Sequence, residues 1–372
     1  MKLLLIPLIF LLCSNPCSTY ANEALLNDSS GVPRLIEGES KNIRMVSERV
    51  IIELGRTNYT VDASFEFTND GDTITALVGF PDYGYGFIGK EARANNIFET
   101  WVNGKPSAFI NKTGIMTISS NTDFVKTVTN HDSLDEADSS LQSLRAIRDN
   151  GTRYLVKKVT FPGRTTTTTR VRYTAVYSSR LGYIEYLYGT GGTWKGTIGR
   201  AVFVVRTSPD VWMSAVPRFS TFRRNFNNTR KFTRQRTGEF EHEFILTDIK
   251  PLGGEVFRVW GNWEGFDKQE QPWEFYSDFD FADKPVNDDF LDILSLAQLR
   301  LFHNAFYAYH GKKFTAPDLN AYFKDKNWYK PRDDYRDTDL TDIERENVRK
   351  IAAKEEWLNK LVESKQNSGS LK

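Results

Sequence analysis

Apolar and polar residues alternate along most of the chain between about residues 43 and 283. The clearest run extends from Tyr59 to Phe67, where every second residue is apolar. A period of two is typical of a β-strand with one buried face. The polar, glycine-containing segment 69–72 then leads into a second apolar run at 74–80, so the pattern predicts a β-hairpin.

Further segments with the same period predict more strands. The Asn103-Gly104 pair lies between two apolar runs and predicts a hairpin with a tight turn, because both residues tolerate positive φ. The other predicted strands are residues 154–161, 170–177, 201–206, 239–246 and 256–260. Only residues 133–148 carry leucines at helical spacing in between, which predicts a helical insertion. This pattern favours a large antiparallel β-sandwich.

The period changes near residue 294, where apolar residues begin to recur at three- and four-residue steps. Ser295 and Gln298 have the spacing of a capping box, which predicts a helix beginning at about Leu296. Gly311 follows the last apolar residue and predicts the end of this helix, because glycine tolerates the left-handed conformation of a C-terminal cap.

Two more helices are predicted after Gly311. Thr315 is a possible N-cap for the first, and Thr341 with Glu344 has capping-box spacing for the second. The chain is therefore predicted to be α+β, with a large antiparallel β-sandwich followed by a small all-α, three-helix domain. The predicted boundaries are residues 25–285 for the sandwich, 286–363 for the helical domain and 364–372 for a disordered tail.

The C-terminal region resembles the YARHG domain family over about residues 294–353. The resemblance rests on Leu299, Arg300, Asn304, Tyr307, Ala308, His310, Gly311, Phe314, Leu319, Phe323, Trp328, Tyr329, Ile343, Glu344 and Asn347. The arginine that gives the family its name is replaced by Tyr309, so no role of that guanidinium transfers to this chain. The family occurs mostly in secreted or surface-exposed bacterial proteins and has no assigned catalytic activity, so the resemblance implies location more than function. The glycine-rich run at 186–199 is also similar to secreted bacterial β domains of uncharacterised function.

The N-terminal residues 1–21 have the composition of a secretory signal peptide. Lys2 precedes an apolar run at 3–12, which is too short to span a bilayer, and small residues near Ala21 predict cleavage there. Both cysteines, Cys13 and Cys17, lie in this segment, so the mature chain would contain none. Neither follows a small residue, so we do not expect lipidation. We expect an exported protein, periplasmic or extracellular, with no transmembrane segment in the mature chain.

Composition and charge limit the classes of molecule that this protein is expected to bind. The 372 residues carry a formal net charge of +1, which gives no general attraction for nucleic acid or anionic membranes. A local exception is the segment 222–236, which contains no acidic residue. Its cations are Arg223, Arg224, Arg230, Lys231, Arg234 and Arg236. They predict either a surface for an anionic envelope glycan or lipid head group, or internal pairing with the acidic segment 274–292. Trp328 and Tyr329 form a second candidate binding region.

No recognisable catalytic motif is present. Glycines at 84–89 have dinucleotide spacing but lack the βαβ context, so no cofactor is predicted. His303 and His310 lie seven residues apart on one helix, about 10.5 Å along its axis, which is too far to share a metal. The tyrosines at 183–188 with Trp194 fit either a sugar-stacking platform or a strand core. We predict a non-enzymatic binder of an envelope glycan, lipid head group or surface protein; the alternative is a peptidoglycan hydrolase with a site assembled from scattered residues.

Overall fold

The computed structural model describes residues 20–21, 24–27, 34–35, 41–82, 98–114, 152–176, 183–221, 230–252, 255–262 and 283–369. The described residues up to Asn262, here called the β region, are mostly β-strand. Residues 283–369, called the helical region, contain the α-helices, so the protein is α+β. The predicted signal peptide before Tyr20 and the predicted helical insertion at 133–148 lie outside the described residues.

The β region forms two sheets, whose strands include those predicted at 154–161, 170–177, 201–206, 239–246 and 256–260. The strands are β1 (Tyr20–Ala21), β2 (Ala24–Asn27), β3 (Arg34–Leu35), β4 (Ile43–Leu54), β5 (Asn58–Asn69), β6 (Ile74–Asp82), β7 (Phe98–Val102), β8 (Lys105–Pro106), β9 (Ile110–Gly114), β10 (Thr152–Phe161), β11 (Thr166–Val176), β12 (Tyr183–Leu187), β13 (Ile198–Arg206), β14 (Trp212–Thr221), β15 (Thr233–Gly238), β16 (Glu241–Ile249) and β17 (Glu255–Asn262).

The first sheet has the order β14-β17-β12-β1-β6-β10-β9, with β2 paired to β6 and β3 paired to β2, and the second has the order β15-β16-β13-β4-β5-β11-β7-β8. Most pairs are antiparallel, as predicted. The prediction is wrong at two places, because β13 runs parallel to β4 and β1 runs parallel to β12. Neither pair is joined by a hairpin, so nothing in the connecting chain requires the two strands to run in opposite directions.

The predicted hairpin of β5 and β6 is wrong in its pairing. The turn at 69–72 exists: Asn69 accepts a hydrogen bond from Gly71 N at 3.0 Å and donates to Asp72 O at 2.7 Å. Its amide also donates to Phe161 O at 2.9 Å. This turn carries the chain from the second sheet to the first, so β5 and β6 belong to different sheets and bury their apolar residues in the core between them.

The tight turn at Asn103-Gly104 is confirmed. Both residues have positive φ, 48° and 74°, as a two-residue hairpin between β7 and β8 requires. The Asn103 side chain accepts a hydrogen bond from Thr168 N at 2.9 Å, which attaches the turn to β11. Here the local sequence is sufficient because the turn and its two strands are adjacent in the chain.

Aromatic side chains fill the space between the two sheets. The ring of Phe203, from the second sheet, lies 4.8 Å from that of Phe257 and 5.2 Å from that of Phe219, both from the first. Tyr186 and Tyr188 pack against the same ring at 6.1 and 5.6 Å and are fully buried. Trp194 is buried too. These residues therefore form core rather than a sugar-stacking platform.

The helical region contains four α-helices rather than three. They are α1 (Asp288–Leu291), α2 (Leu296–Tyr309), α3 (Pro317–Phe323) and α4 (Asp342–Gly369). The predicted start of α2 is confirmed, with both hydrogen bonds of the Ser295–Gln298 capping box present. Helix α4 continues to Gly369, so residues 364–369 are helical and not the predicted disordered tail. None of the described helices combines the length and the apolar character needed to cross a bilayer.

The helices pack against the edge strands β14 and β15 of the two sheets. Phe290 of α1 and Phe302 of α2 lie 5.9 Å apart, in one buried apolar cluster that also contains the residues between the sheets. Unpaired edge strands are prone to aggregation, and covering them with helices removes that risk. The β region and the helical region thus share a core.

Candidate functional site

Three cations of the predicted basic run form hydrogen bonds or ion pairs within the protein. Arg230 donates to both carboxylate oxygens of Glu255 at 2.8 Å, which raises the pKa of the guanidinium. Arg234 pairs with Asp289 at 2.9 Å and with Asp292. The structure therefore favours internal pairing for these residues, and the acidic segment 274–292 supplies the partners of Arg234.

Arg236 is buried and donates only to backbone carbonyls, those of Gly238, Glu239 and Asp292. Desolvation by burial lowers its pKa to about 10. Lys231 is exposed, and Arg223 and Arg224 lie outside the described residues. The described part of the basic run therefore does not present the continuous exposed patch that an anionic polymer would require.

His310 joins the end of α2 to the start of α4. Its Nε2 lies 2.9 Å from each carboxylate oxygen of Glu344, a residue that is buried. Glu344 also accepts a hydrogen bond from Thr341 N at 2.7 Å, and Thr341 Oγ1 accepts from Glu344 N, which completes the capping box predicted for α4. The histidine of the family motif therefore fixes one helix end against another helix start.

Gly311 is required by both its backbone and its surroundings. Its φ is +86°, and an added Cβ would lie 2.7 Å from Lys330 O and 2.9 Å from Arg332 Cγ. Arg332 N donates to Gly311 O at 2.9 Å, so the segment after α3 crosses directly over the glycine. A side chain at this position would separate the two segments.

The remaining motif residues also stabilise the helical region. Asn304 donates to Arg300 O at 2.8 Å within α2. Ala308 is fully buried, in a cluster that also contains Leu319 and Phe323 of α3. Tyr307 is half-buried, with Lys312 Nζ 4.4 Å from its ring centre, and burial raises its pKa. Each contact joins parts of the fold, which explains these residue types without a ligand.

Two aromatic residues form a partly exposed surface near the C-terminus of α2. Tyr309 is 46% exposed, and its ring lies 6.3 Å from that of Trp328, which is half-buried and packs on Phe323 at 5.9 Å. Tyr329, predicted as a second binding residue, is instead buried and donates its hydroxyl to Lys312 O at 2.8 Å. Tyr309 takes its place beside Trp328 on the surface.

Two lysines flank Trp328 in the sequence. Lys324 comes directly after Phe323, and Lys330 comes two residues after Trp328. Both lysines are exposed, and no ion pair within the described residues uses either of them. We call Tyr309, Trp328, Lys324 and Lys330 the Tyr309–Trp328 surface. Sequence analysis identified Trp328 but missed the other three, because only the fold shows which neighbours of a motif remain accessible.

No metal site was found in the part of the chain that the structure describes: no three His, Cys, Asp or Glu side chains come together there. His303 Nδ1 lies 2.8 Å from Glu355 and His310 pairs with Glu344, so each of these histidines has a carboxylate partner of its own.

Comparison with solved structures gives distant likenesses. A protein from Legionella pneumophila whose proposed role is nutrient binding has 18% identity and a TM-score of 0.43, covering 91% of this chain and 99% of that one. The M1 zinc metallopeptidase of Deinococcus radiodurans has 9% identity and a TM-score of 0.29, covering 60% and 43%. Yeast LTA4 hydrolase has 8% identity and a TM-score of 0.29, covering 59% and 29%. These scores are too low to transfer a function.

Comparison with curated proteins gives no match. The YARHG domain family matches residues 280–356, a longer segment than the predicted 294–353. The added N-terminal part includes α1 and the segment before it, which Asn347 of α4 holds by accepting from Val286 N and donating to Lys284 O, both at 2.8 Å. The chain therefore carries a YARHG domain in its C-terminal region, at residues 280–356.

Proposed function

We propose that this protein is an exported, non-enzymatic component of the bacterial cell envelope that binds an anionic envelope glycan. The observation that carries the proposal is the Tyr309–Trp328 surface, where exposed Tyr309 lies beside half-buried Trp328 and two exposed lysines outside any described ion pair flank Trp328 in the chain. Aromatic faces pack against sugar rings, and lysines attract the charged groups of the same polymer. Lipid head groups and surface proteins are the other partners that the test distinguishes.

The location rests on two observations. Residues 1–21 have the features of a secretory signal, and YARHG domains occur in exported proteins. The second candidate function, a peptidoglycan hydrolase, has no specific observation in its favour among the described residues. Hydrolysis of purified sacculi by the isolated protein would establish the hydrolase function in place of the proposed binding function.

Reversing the two lysines should weaken glycan binding. With Lys324→Glu and Lys330→Glu combined, we expect affinity for purified anionic envelope glycan to fall by up to roughly 30-fold at low salt, taking about 1 kcal/mol for each exposed charge. Tyr309→Ala should weaken binding at low and high salt alike, because stacking is not screened. The measurement is co-sedimentation with insoluble glycan, repeated with anionic lipid vesicles and with protein-free and protein-containing envelopes.

A matched control changes net charge equally at a different place. Lys105 and Lys158 are exposed residues of the β region, so Lys105→Glu with Lys158→Glu should leave binding unchanged. Equal sedimentation of wild type, double variant and control at both salt concentrations would remove this surface as the binding site. Retention by vesicles but not by glycan would assign the lysines to lipid head groups.

Export predicts a new N-terminus. N-terminal sequencing of the protein from its native envelope fraction should begin near Asn22, because the small residues before it form the cleavage site. Cleavage there would remove Tyr20 and Ala21, which pair with β12 and β6 as strand β1. An intact Met1 on the exported protein contradicts this prediction, and a lipid on Cys17 would show a membrane anchor instead.

A further inference from the structure

His242 lies at the junction between the β region and the helical region. It belongs to β16 and, two residues before Phe244, lies on the same face of the strand as that residue, whose side chain is in the core between the sheets. The residue is 1% exposed, and among the described residues neither Nδ1 nor Nε2 has a hydrogen-bond partner. Protonating a buried imidazole that has no hydrogen-bond partner is unfavourable, because the charge is removed from water without a compensating bond.

Three cations act electrostatically on this imidazole. Arg236 lies directly opposite His242 on the neighbouring strand β15, Arg234 belongs to the same strand, and Lys354 comes from α4. Together with burial, which is the larger cause, they hold the pKa of His242 well below its usual range. When the helical region is packed against the β region, as it is here, His242 is therefore neutral near pH 7.

The carboxylates at the junction already pair with other groups. Asp292 accepts from both Arg234 and Lys354, and Asp289 pairs with Arg234 at 2.9 Å. Glu239 accepts from Leu296 N, at the start of α2, at 3.1 Å. None of the described hydrogen bonds brings a carboxylate to the imidazole, so a proton on His242 would add a fourth positive charge without a counter-charge.

The same groups hold the two regions together. Arg236 donates across the junction to Asp292 O at 3.0 Å, and the Leu296–Glu239 bond also crosses it. Phe290 and Leu291 are buried here and would become exposed if the helices moved away. A charge placed on His242 therefore acts directly on the contacts that attach the helical region to β15.

We propose that His242 is a proton-sensitive latch: neutral, it lets the helical region dock on the β region, and protonated, it favours release of the helices. The docked form binds fewer protons than the released form. Docking is therefore strongest above the ordinary histidine pKa of about 6.5, and its equilibrium constant falls about tenfold for each pH unit below that value. Acidification of the surroundings would expose the apolar face that the junction covers.

Hydrogen–deuterium exchange of the full chain tests this latch. Between pH 7.5 and pH 5.0, corrected for intrinsic rates, protection of peptides covering β15 and α1–α2 should stay constant down to about pH 6.5. It should then fall by roughly 30-fold at pH 5.0, which is tenfold per unit over 1.5 units. Peptides from β5, in the middle of the second sheet, should keep their protection because they exchange without release of the helices.

His242→Phe removes the titrating group and sacrifices no hydrogen bond, so we expect its protection to be independent of pH over this range. If Phe does not fit, His242→Leu serves the same purpose. His303→Gln is the matched control, because His303 belongs to the same helical region and contacts Glu355 rather than His242 or β15; it should keep the wild-type slope.

Three outcomes would overturn the latch. Constant protection in the wild type would show that protonation does not act on docking. A slope that persists in both His242 variants would assign it to another group. Equal loss in β5 peptides would show that His242 affects the stability of the whole molecule rather than the junction.

Discussion

Glu185→Ala should lower the free energy of unfolding by about 3–5 kcal/mol, because it leaves the guanidinium of Arg258 buried without its carboxylate. Glu185 of β12 and Arg258 of β17 lie directly opposite each other, with Nε 2.8 Å from Oε1, and are 4% and 1% exposed. Tyr183 and Trp260 flank the guanidinium, with ring centres at 5.5 and 5.9 Å. Neither the rings nor water can replace the lost negative charge there.

The Asp62–Arg170 pair is a matched control for the buried pair. It also joins neighbouring strands, but diagonally, because Asp62 lies opposite Arg172 and Arg170 lies opposite Ser64, and its side chains are 23% and 47% exposed. Asp62→Ala should therefore lower stability by no more than about 1 kcal/mol. Urea denaturation with an unchanged m-value measures both losses, and equal losses in the two variants would show that burial does not set the cost.

Phe306→Ala should lower the free energy of unfolding by about 3–5 kcal/mol, the usual range for removing a buried phenylalanine. Phe306 of α2 is fully buried, with its ring 5.5 Å from that of Phe302. Glu344 of α4 holds His310 at the end of α2, and Asn347 of α4 holds Val286 before α1, so we expect little collapse of the helices into the space left by the ring.

Tyr309→Ala is the control for Phe306→Ala, because Tyr309 lies on the same helix with its side chain partly in water. We expect a change within about 0.5 kcal/mol, as for other surface substitutions. Denaturation of the full chain, followed by tryptophan fluorescence, provides the measurement. A Phe306 variant as stable as the Tyr309 variant would contradict the assignment of Phe306 to the core.

Elements that depend on neighbouring residues could be predicted from the sequence. The capping boxes at Ser295–Gln298 and Thr341–Glu344 are both present, because each needs only two side chains three residues apart. The turn at Asn103-Gly104 is present for the same reason. The residues that match the YARHG family also have mostly local roles. Gly311, for example, adopts the left-handed conformation at the end of α2.

Elements that depend on distant partners could not be predicted. The alternation in β5 correctly marks one buried face on that strand, but a turn sequence does not specify which sheet the next strand joins. The basic run had two possible interpretations, and the choice depended on Asp289 and Asp292, more than 50 residues away. Tyr329 and Tyr309 exchanged roles because the position of α3 decides which ring is covered.

The sequence by itself therefore determined the α+β class, the strand and helix periods, the caps and the YARHG resemblance, since these follow from side-chain spacing along the chain. Only the tertiary structure decided that β5 and β6 separate into two sheets and that the helices cover β14 and β15. It also placed His242 among three cations from β15 and α4. Burial and charge at such places are sums over residues far apart in sequence, and chain folding alone brings them together.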